Sequence, residues 1–293
     1  MPKENPIKTA VQNIQDRSLP EGGFSMFANK SYRTDATAWA IMAMKACHGD
    51  RELTTAACRQ LSRSQLSDGR VPVIKDYPKS YWPTSLALLA WKTIDGFERE
   101  KELATKFLLT TTGEHWPKQK DAPVAHDTSV KGWPWIENTH SWIEPTSMAI
   151  LALKVCRYFE DSRVSEAKRL ILDRQLQSGG WNYGNTRVFG SMLKPGPVST
   201  GHALSALAGL TEPKHVELSL DYLHRQIKRL KTPLALSWAI FGLTAWSYGS
   251  PEARRWVLDS LSLQKKYGIY DTTLLSQLVI AYVTFGDLLS IFS

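Results

Sequence analysis

Three acidic side chains hold equivalent places in this chain. Asp35, Glu144 and Asp271 each stand two residues ahead of the residue that opens a long apolar run. A carboxyl group can act as a general acid where its surroundings keep it protonated, and two carboxyls facing each other across a cleft can hydrolyse a glycosidic bond. Acids at helix amino termini are also favoured by the helix dipole alone, by roughly 0.3–1 kcal/mol each. A second group of candidates is aromatic. Of eleven tryptophans, Trp39 and Trp238 share the column two residues past the opening position and Trp82 stands just before a helix, where rings either pack a core or turn a face toward a cation. His126, Asp127 and His140 match no strong metal-ligand spacing, so no metal and no cofactor is expected.

The elements that position these residues are repeats. The clearest copy is Gln175-Leu-Gln-Ser-Gly-Gly-Trp181, echoed by Gln65 to Val71 and Gln264 to Tyr270, with worn copies ending at Phe24, Trp133 and Thr232. The six markers are spaced by about 49 residues on average, room for two helices and two connections. After each marker comes a run rich in Ala and Leu, opened at Thr37, Thr84, Thr146, Thr200, Leu236 and Thr273. A hydroxyl there reads as a helix N-cap, and Pro83 and Pro145 suit a first helical turn. These runs are apolar on every side, whereas the segments before the Gly turns, such as 163–177 and 252–264, mix charge with spaced aliphatics. An all-α, single (α/α)6 toroid follows, with six apolar inner helices wrapped by six amphipathic outer ones. It would form one domain over residues 1–293, with a long, aromatic-rich connection around 113–139 that carries His115, Trp116, His126, Asp127, Trp133 and Trp135. Long loops with large rings beside an opening are candidate lids or entrance walls.

Composition agrees with a packed ring: 43% of the residues are hydrophobic. No stretch approaches the roughly 18 apolar residues of a membrane span, and Met1 to Pro6 does not read as a secretory signal, so a cytoplasmic protein is expected. Cys47, Cys58 and Cys156 lie in apolar helical contexts without paired spacing and are expected to be reduced core thiols. The net charge of +8 suits a phosphorylated ligand, an anionic membrane surface or plain solubility. The densest basic run, His224 to Lys231, has no interleaved aromatic residues, which excludes nucleic acid as the expected partner.

The Gln-Gly-Trp turn followed by a Thr-initiated Ala/Leu helix resembles the repeat of squalene-hopene and oxidosqualene cyclases, and the related repeat of protein prenyltransferase β subunits. The resemblance spans roughly residues 12 to 285 and implies a toroid whose central cavity holds an isoprenoid chain. Cyclases of this kind protonate an alkene or epoxide with the middle Asp of Asp-x-Asp-Asp. That motif is absent here, and its middle column reads Asp35, Trp82, Glu144, Val198, Leu234 and Asp271. Asp35 is the first choice of donor, because Thr37-Ala38 follows it as in the cyclase pattern. The prenyltransferase zinc site is not reproduced: Asp35-Ala-Thr37 and Glu144-Pro-Thr146 lack its thiolate, although His202 lies near the column of its His.

The expected function is therefore binding of a polyprenyl or similarly apolar chain in the central cavity, with cyclisation by protonation from Asp35, Glu144 or Asp271. Trp39, Trp82, Trp142, His202 and Trp238 are the expected substrate-binding residues, their rings facing a developing carbocation. The alternative is a catalytically silent toroid that binds lipid or a partner protein; an (α/α)6 carbohydrate enzyme is a third reading. Expected partners are an isoprenoid or other apolar small molecule, a second subunit or homodimer, and the surface of a membrane.

Overall fold

The computed structural model describes residues 5–118 and 124–293. Its helices in chain order are α1 (Pro6–Gln15), α2 (Thr34–Ala46), α3 (Arg51–Ser64), α4 (Pro83–Trp91), α5 (Glu98–Thr110), α6 (Ile143–Val155), α7 (Ser162–Asp173), α8 (Pro197–Leu207), α9 (Glu217–Ile227), α10 (Pro233–Thr244), α11 (Ala253–Ser262), the single turn α12 (Gln264–Tyr267) and α13 (Thr272–Val283). A hairpin of β1 (Arg187–Val188) and β2 (Ser191–Met192) interrupts the connection between α7 and α8.

The helices without a polar stripe are the inner ones. Every residue of α4 is buried, as are nearly all of α2, α6 and α10. Contacts run α2 to α4, α6, α8, α10, α13 and back to α2, so the inner helices close a ring. The helices α1, α3, α5, α7, α9 and α11 each pack on the ring from outside, burying only one face. The seam is stitched by Arg17, whose guanidinium donates to the carbonyls of Tyr270 at 2.9 Å and Met26 at 3.2 Å, while the Thr272 amide donates to Met26 O at 3.0 Å.

The repeat turns show why their residue types recur. The backbone N–H of the marker residue donates to the helix-opening threonine of its own repeat: Phe24 to Thr37, Val71 to Thr84, Trp133 to Thr146 and Trp181 to Thr200, all at 2.8–3.0 Å. These hydroxyls are therefore not N-caps as the sequence suggested. They lie inside the first helical turn and hold the turn onto the inner helix; the caps are Arg33, Trp82, Trp142 and Gly196. The glutamine ties one repeat to the next. Gln65 donates to the Glu100 carbonyl on α5 at 3.0 Å, and Gln175 to the Ser219 hydroxyl on α9 at 2.7 Å. Gly179, at φ +83°, abuts the backbone of the following outer helix so closely that a Cβ would overlap the Leu218 carbonyl, and Gly69 meets Leu103 in the same way.

Every connection from an outer helix to the next inner one arrives at the same end of the ring, where the inner helices begin. This end is the mouth. No helix among the described residues is long and apolar enough to cross a membrane.

Candidate functional site

The acid column of the sequence becomes the rim of the mouth. Asp35 and Glu144 lie in the first turns of α2 and α6, Asp271 caps α13, and Trp82 caps α4. One helical turn deeper, four residues on, the same face carries Trp39, His202 and Trp238 on α2, α8 and α10.

The deeper level is filled. His202 stacks on Trp238 with ring centroids 3.5 Å apart, and Trp39 meets Trp238 edge-on at 6.0 Å. Because α13 lies between α2 and α10 in the ring, the Trp39–Trp238 contact passes in front of α13 on the inner side of the ring. These buried rings lie about one turn, roughly 6 Å, below the rim. The close approach behind the stack is made by Gly201, where a Cβ would overlap the Trp238 carbonyl and force α8 away from α10.

The three acids do not share one environment. Asp35 is gripped by Arg33 in a bidentate fork, with Nε to Oδ1 at 2.9 Å and Nη2 to Oδ2 at 2.8 Å. Asp271 accepts the Leu274 amide at 2.9 Å; burial pushes its carboxyl up, and the nearby Asp35 charge adds to that. Both belong to the seam between α2 and α13.

Glu144 stands apart, beside α8. Burial pushes its carboxyl up to about 7, although 32% of its side-chain surface remains accessible. Its Oε1 lies 3.8 Å from Nε2 of His202, beyond hydrogen-bond reach but close enough for the two groups to sense each other's charge. His202 Nδ1 is 2.9 Å from the Val198 carbonyl, an acceptor only, so Nδ1 carries the proton and Nε2 turns its lone pair toward Glu144. Burial draws the imidazole down to about 3, which keeps it neutral.

Beside the rim lies a pocket of about 510 Å³, lined chiefly by Trp116, Trp135, Trp142, Tyr183, His140 and Glu114. The long connection is held over α4 by the Tyr81 amide on Trp135 O at 2.9 Å and the Glu137 amide on Lys79 O at 2.8 Å. Trp135 then meets the rim residue Trp82 edge-on at 5.6 Å, and Trp142 packs on His140 at 4.3 Å. Among the described residues the lining carries one carboxylate and no Lys or Arg. His126, Asp127 and His140 do not gather, and no group of three metal-ligating side chains occurs among the described residues.

Of the sequence candidates, His202 and Glu144 are brought together, as are Trp39, His202 and Trp238, while Trp82 and Trp142 flank the aromatic pocket. Arg33 and Tyr183 were missed. Arg33 was legible as the near neighbour of an acid two residues on, and Tyr183 as an aromatic two residues past Trp181 in a mouth connection.

No protein-family model matches the sequence, and no curated protein matches it. Solved structures do. The type II terpene cyclase MstE from Scytonema superposes with a TM-score of 0.64 at 15% identity, covering 97% of this chain and 98% of that one. The fold is that of a type II terpene cyclase. A variant of the same cyclase in complex with geranylgeranyl dihydroxybenzoate gives a TM-score of 0.65 at 12% identity over 97% of both chains. The ent-copalyl diphosphate synthase from Streptomyces platensis gives 0.54 at 16% identity, covering 88% of this chain and 50% of that one. A glycosidase variant also reaches 0.54, at 11% identity over 98% of this chain and 96% of that one. The toroid alone thus does not select a chemistry; the side chains at its mouth must do so.

Proposed function

We propose that the protein binds an isoprenoid chain within the mouth of the ring, over Trp39 and Trp238, and starts its cyclisation with a proton from Glu144. The observation that carries this reading is Glu144 itself, which stands at the mouth with part of its side chain accessible, 3.8 Å from His202, and whose carboxyl burial pushes up to about 7. Asp35 is occupied by Arg33 and Asp271 by its cap, which leaves Glu144 as the donor.

A carboxyl tuned near neutrality suits protonation of an epoxide oxygen better than that of an unactivated alkene. As the Glu144 proton moves to the epoxide oxygen, one C–O bond breaks and leaves a tertiary carbocation. The neighbouring double bond attacks that carbon and passes the positive charge along the chain. Loss of a proton to the Glu144 carboxylate, directly or through water, ends the sequence, so the product is an isomer of the substrate and the acid is restored. The rings of Trp39, Trp82 and Trp238 offer π faces to the travelling charge without trapping it, by roughly 0.5–2 kcal/mol per contact. Neutral His202 adds no positive charge that would repel it. The aromatic pocket supports a substrate whose other end is an uncharged or aromatic head, in keeping with the geranylgeranyl dihydroxybenzoate bound to MstE.

Purified protein incubated with C15 and C20 isoprenoids and their terminal epoxides, and with the prenylated phenols of the same lengths, is expected to yield cyclised isomers of unchanged mass. Glu144→Gln should yield none. Absence of product with every substrate while the chains still bind would favour the second reading, a silent lipid-binding toroid.

A further inference from the structure

We propose that the end of the ring opposite the mouth binds a small hydrophilic anion of two or more charges, bearing phosphate or carboxylate groups, through Lys45, His48, Arg51 and Lys92. The inference does not rest on the catalytic reading. Lys45 lies ten residues past Asp35 on α2, about 15 Å along the helix, so the site is separate from the mouth.

A cavity of about 490 Å³ opens there, between the last turns of α2 and α4 and the first turn of α3. Four basic side chains, Lys45, His48, Arg51 and Lys92, line it against one acid, Asp95. Among the described residues none of the four makes an ion pair or donates a side-chain hydrogen bond. The hydroxyls of Thr54 and Thr93, also in the lining, are committed to the carbonyls of Asp50 and Ala90, both at 2.7 Å. The cations are therefore what the cavity offers a ligand.

A cation at a helix carboxyl end is favoured by the dipole alone, and the repeats supply a control for that plainer reading. Lys45, Lys92 and Lys154 share one column, eight residues past Thr37, Thr84 and Thr146. Lys154 does what the dipole asks, donating to the carbonyls of Ala206 and Ala208 at the end of α8, at 3.3 and 2.5 Å. Lys45 and Lys92 cap no neighbouring helix in this way. At the end of α4 the Ile94 carbonyl is taken instead by Lys101 from α5, at 3.2 Å, which leaves Lys45 to the cavity. Arg51 stands at the first position of α3, the helix end that disfavours a cation, and the Asp50 carboxylate beside it is spent on the Glu52 and Leu53 amides. His48 follows the cap of α2 at φ 51°, a left-handed position where Gly is the usual residue.

Cations gathered around one hollow repel each other until a counter-charge enters, and a single negative charge answers only part of that repulsion. A multivalent oxyanion answers more of it. The Arg51 guanidinium presents paired N–H donors that fit a phosphate or carboxylate, and Lys45 and Lys92 add one point charge from each of two neighbouring repeats. Bound there, the anion bridges the ends of α2 and α4 and the start of α3, and so stabilises the folded ring by mass action.

Titration calorimetry of the full chain with inorganic phosphate, pyrophosphate and citrate, each against sodium chloride of matched ionic strength, tests the proposal. At least one of the three is expected to bind one to one and to raise the melting temperature, while chloride does neither. Tighter binding of pyrophosphate marks a phosphate site, and tighter binding of citrate a polycarboxylate site. Lys45→Ser with Lys92→Ser should weaken that binding tenfold or more with little change in the anion-free melting temperature, and Arg51→Ser should act in the same direction. Lys265→Ser with Lys266→Ser removes the same charge at the mouth end and should leave binding unchanged. Equal binding by the Lys45 and Lys92 variant, or an equal loss in the mouth variant, would overturn the proposal. So would the absence of binding by all three anions.

Discussion

The two sides of the mouth place the same kind of residue at the same height in the ring and give it different surroundings. On the α2–α13 side, Asp35 lies 8% exposed in the bidentate fork of Arg33. On the α6–α8 side, Glu144 has no Lys or Arg within ion-pair distance among the described residues and a neutral imidazole for company, and burial pushes its carboxyl up to about 7. Position in a repeat sets where a carboxyl stands; its neighbours, from its own repeat for Asp35 and from the next for Glu144, set its surroundings.

The sharpest way to break this contrast is to remove each acid in turn. Glu144→Gln keeps the shape and loses the proton donor, so turnover of an epoxidised isoprenoid should fall by about 100-fold or more. Asp35→Asn should cost less than about tenfold, because Asp35 is assigned no proton to give. Product assays on the two variants check this, and the reverse order would move the donor to the other side of the mouth. A next-largest effect is expected at Gly201. Gly201→Ala drives a methyl group into the Trp238 carbonyl, and overpacking of this kind typically costs about 1–3 kcal/mol. Urea unfolding reads the loss, and a change in near-ultraviolet tryptophan dichroism would report the broken His202–Trp238 stack.

The ring itself was readable because its cause is periodic. Small residues repeated at helical spacing recur in all six repeats, a hydroxyl in the first turn holds the bend in four of them, and even worn copies can be aligned to their neighbours. The roles within the mouth were less readable because they arise between repeats. The column shared by Trp39 and Trp238 gave their height, yet their contact in front of α13 depends on how far each ring reaches inward. His202 comes from the fourth repeat and Glu144 from the third, so no local pattern joins them. Arg33 is the exception: it lies two residues from Asp35, and the pair could have been read as an ion pair that removes Asp35 from first place as donor.

Arg33→Met sharpens the comparison from the anchor side. It leaves the buried Asp35 carboxyl without its partner, and because Arg33 itself is about a third exposed the cost is about 1–3 kcal/mol, below that of a fully buried pair. The double variant Arg33→Met with Asp35→Asn should recover part of that loss, since it removes the uncompensated charge. Urea midpoints of the single and double variants measure the recovery, and no recovery would mean that the fork is not what holds this side of the rim.

The smallest effect is a pH dependence from the other side. A carboxyl whose folded pKa, about 7, exceeds its unfolded value near 4.5 binds its proton more tightly in the native state. Its contribution to stability is therefore complete below about pH 4.5 and is lost as pH rises through about 7. His202, drawn down to about 3, works in the opposite sense: its contribution is complete above its unfolded value near 6.5 and is lost as pH falls toward about 3. Glu144→Gln removes only the first of these. Relative to the parent, the variant should gain about 1–2 kcal/mol between pH 5 and pH 8, a figure reduced for the accessible face of Glu144. Unfolding curves at the two pH values give that difference directly. If the gap between variant and parent did not change with pH, Glu144 would already be ionised in the native mouth, and the two sides of the rim would differ in partners but not in charge.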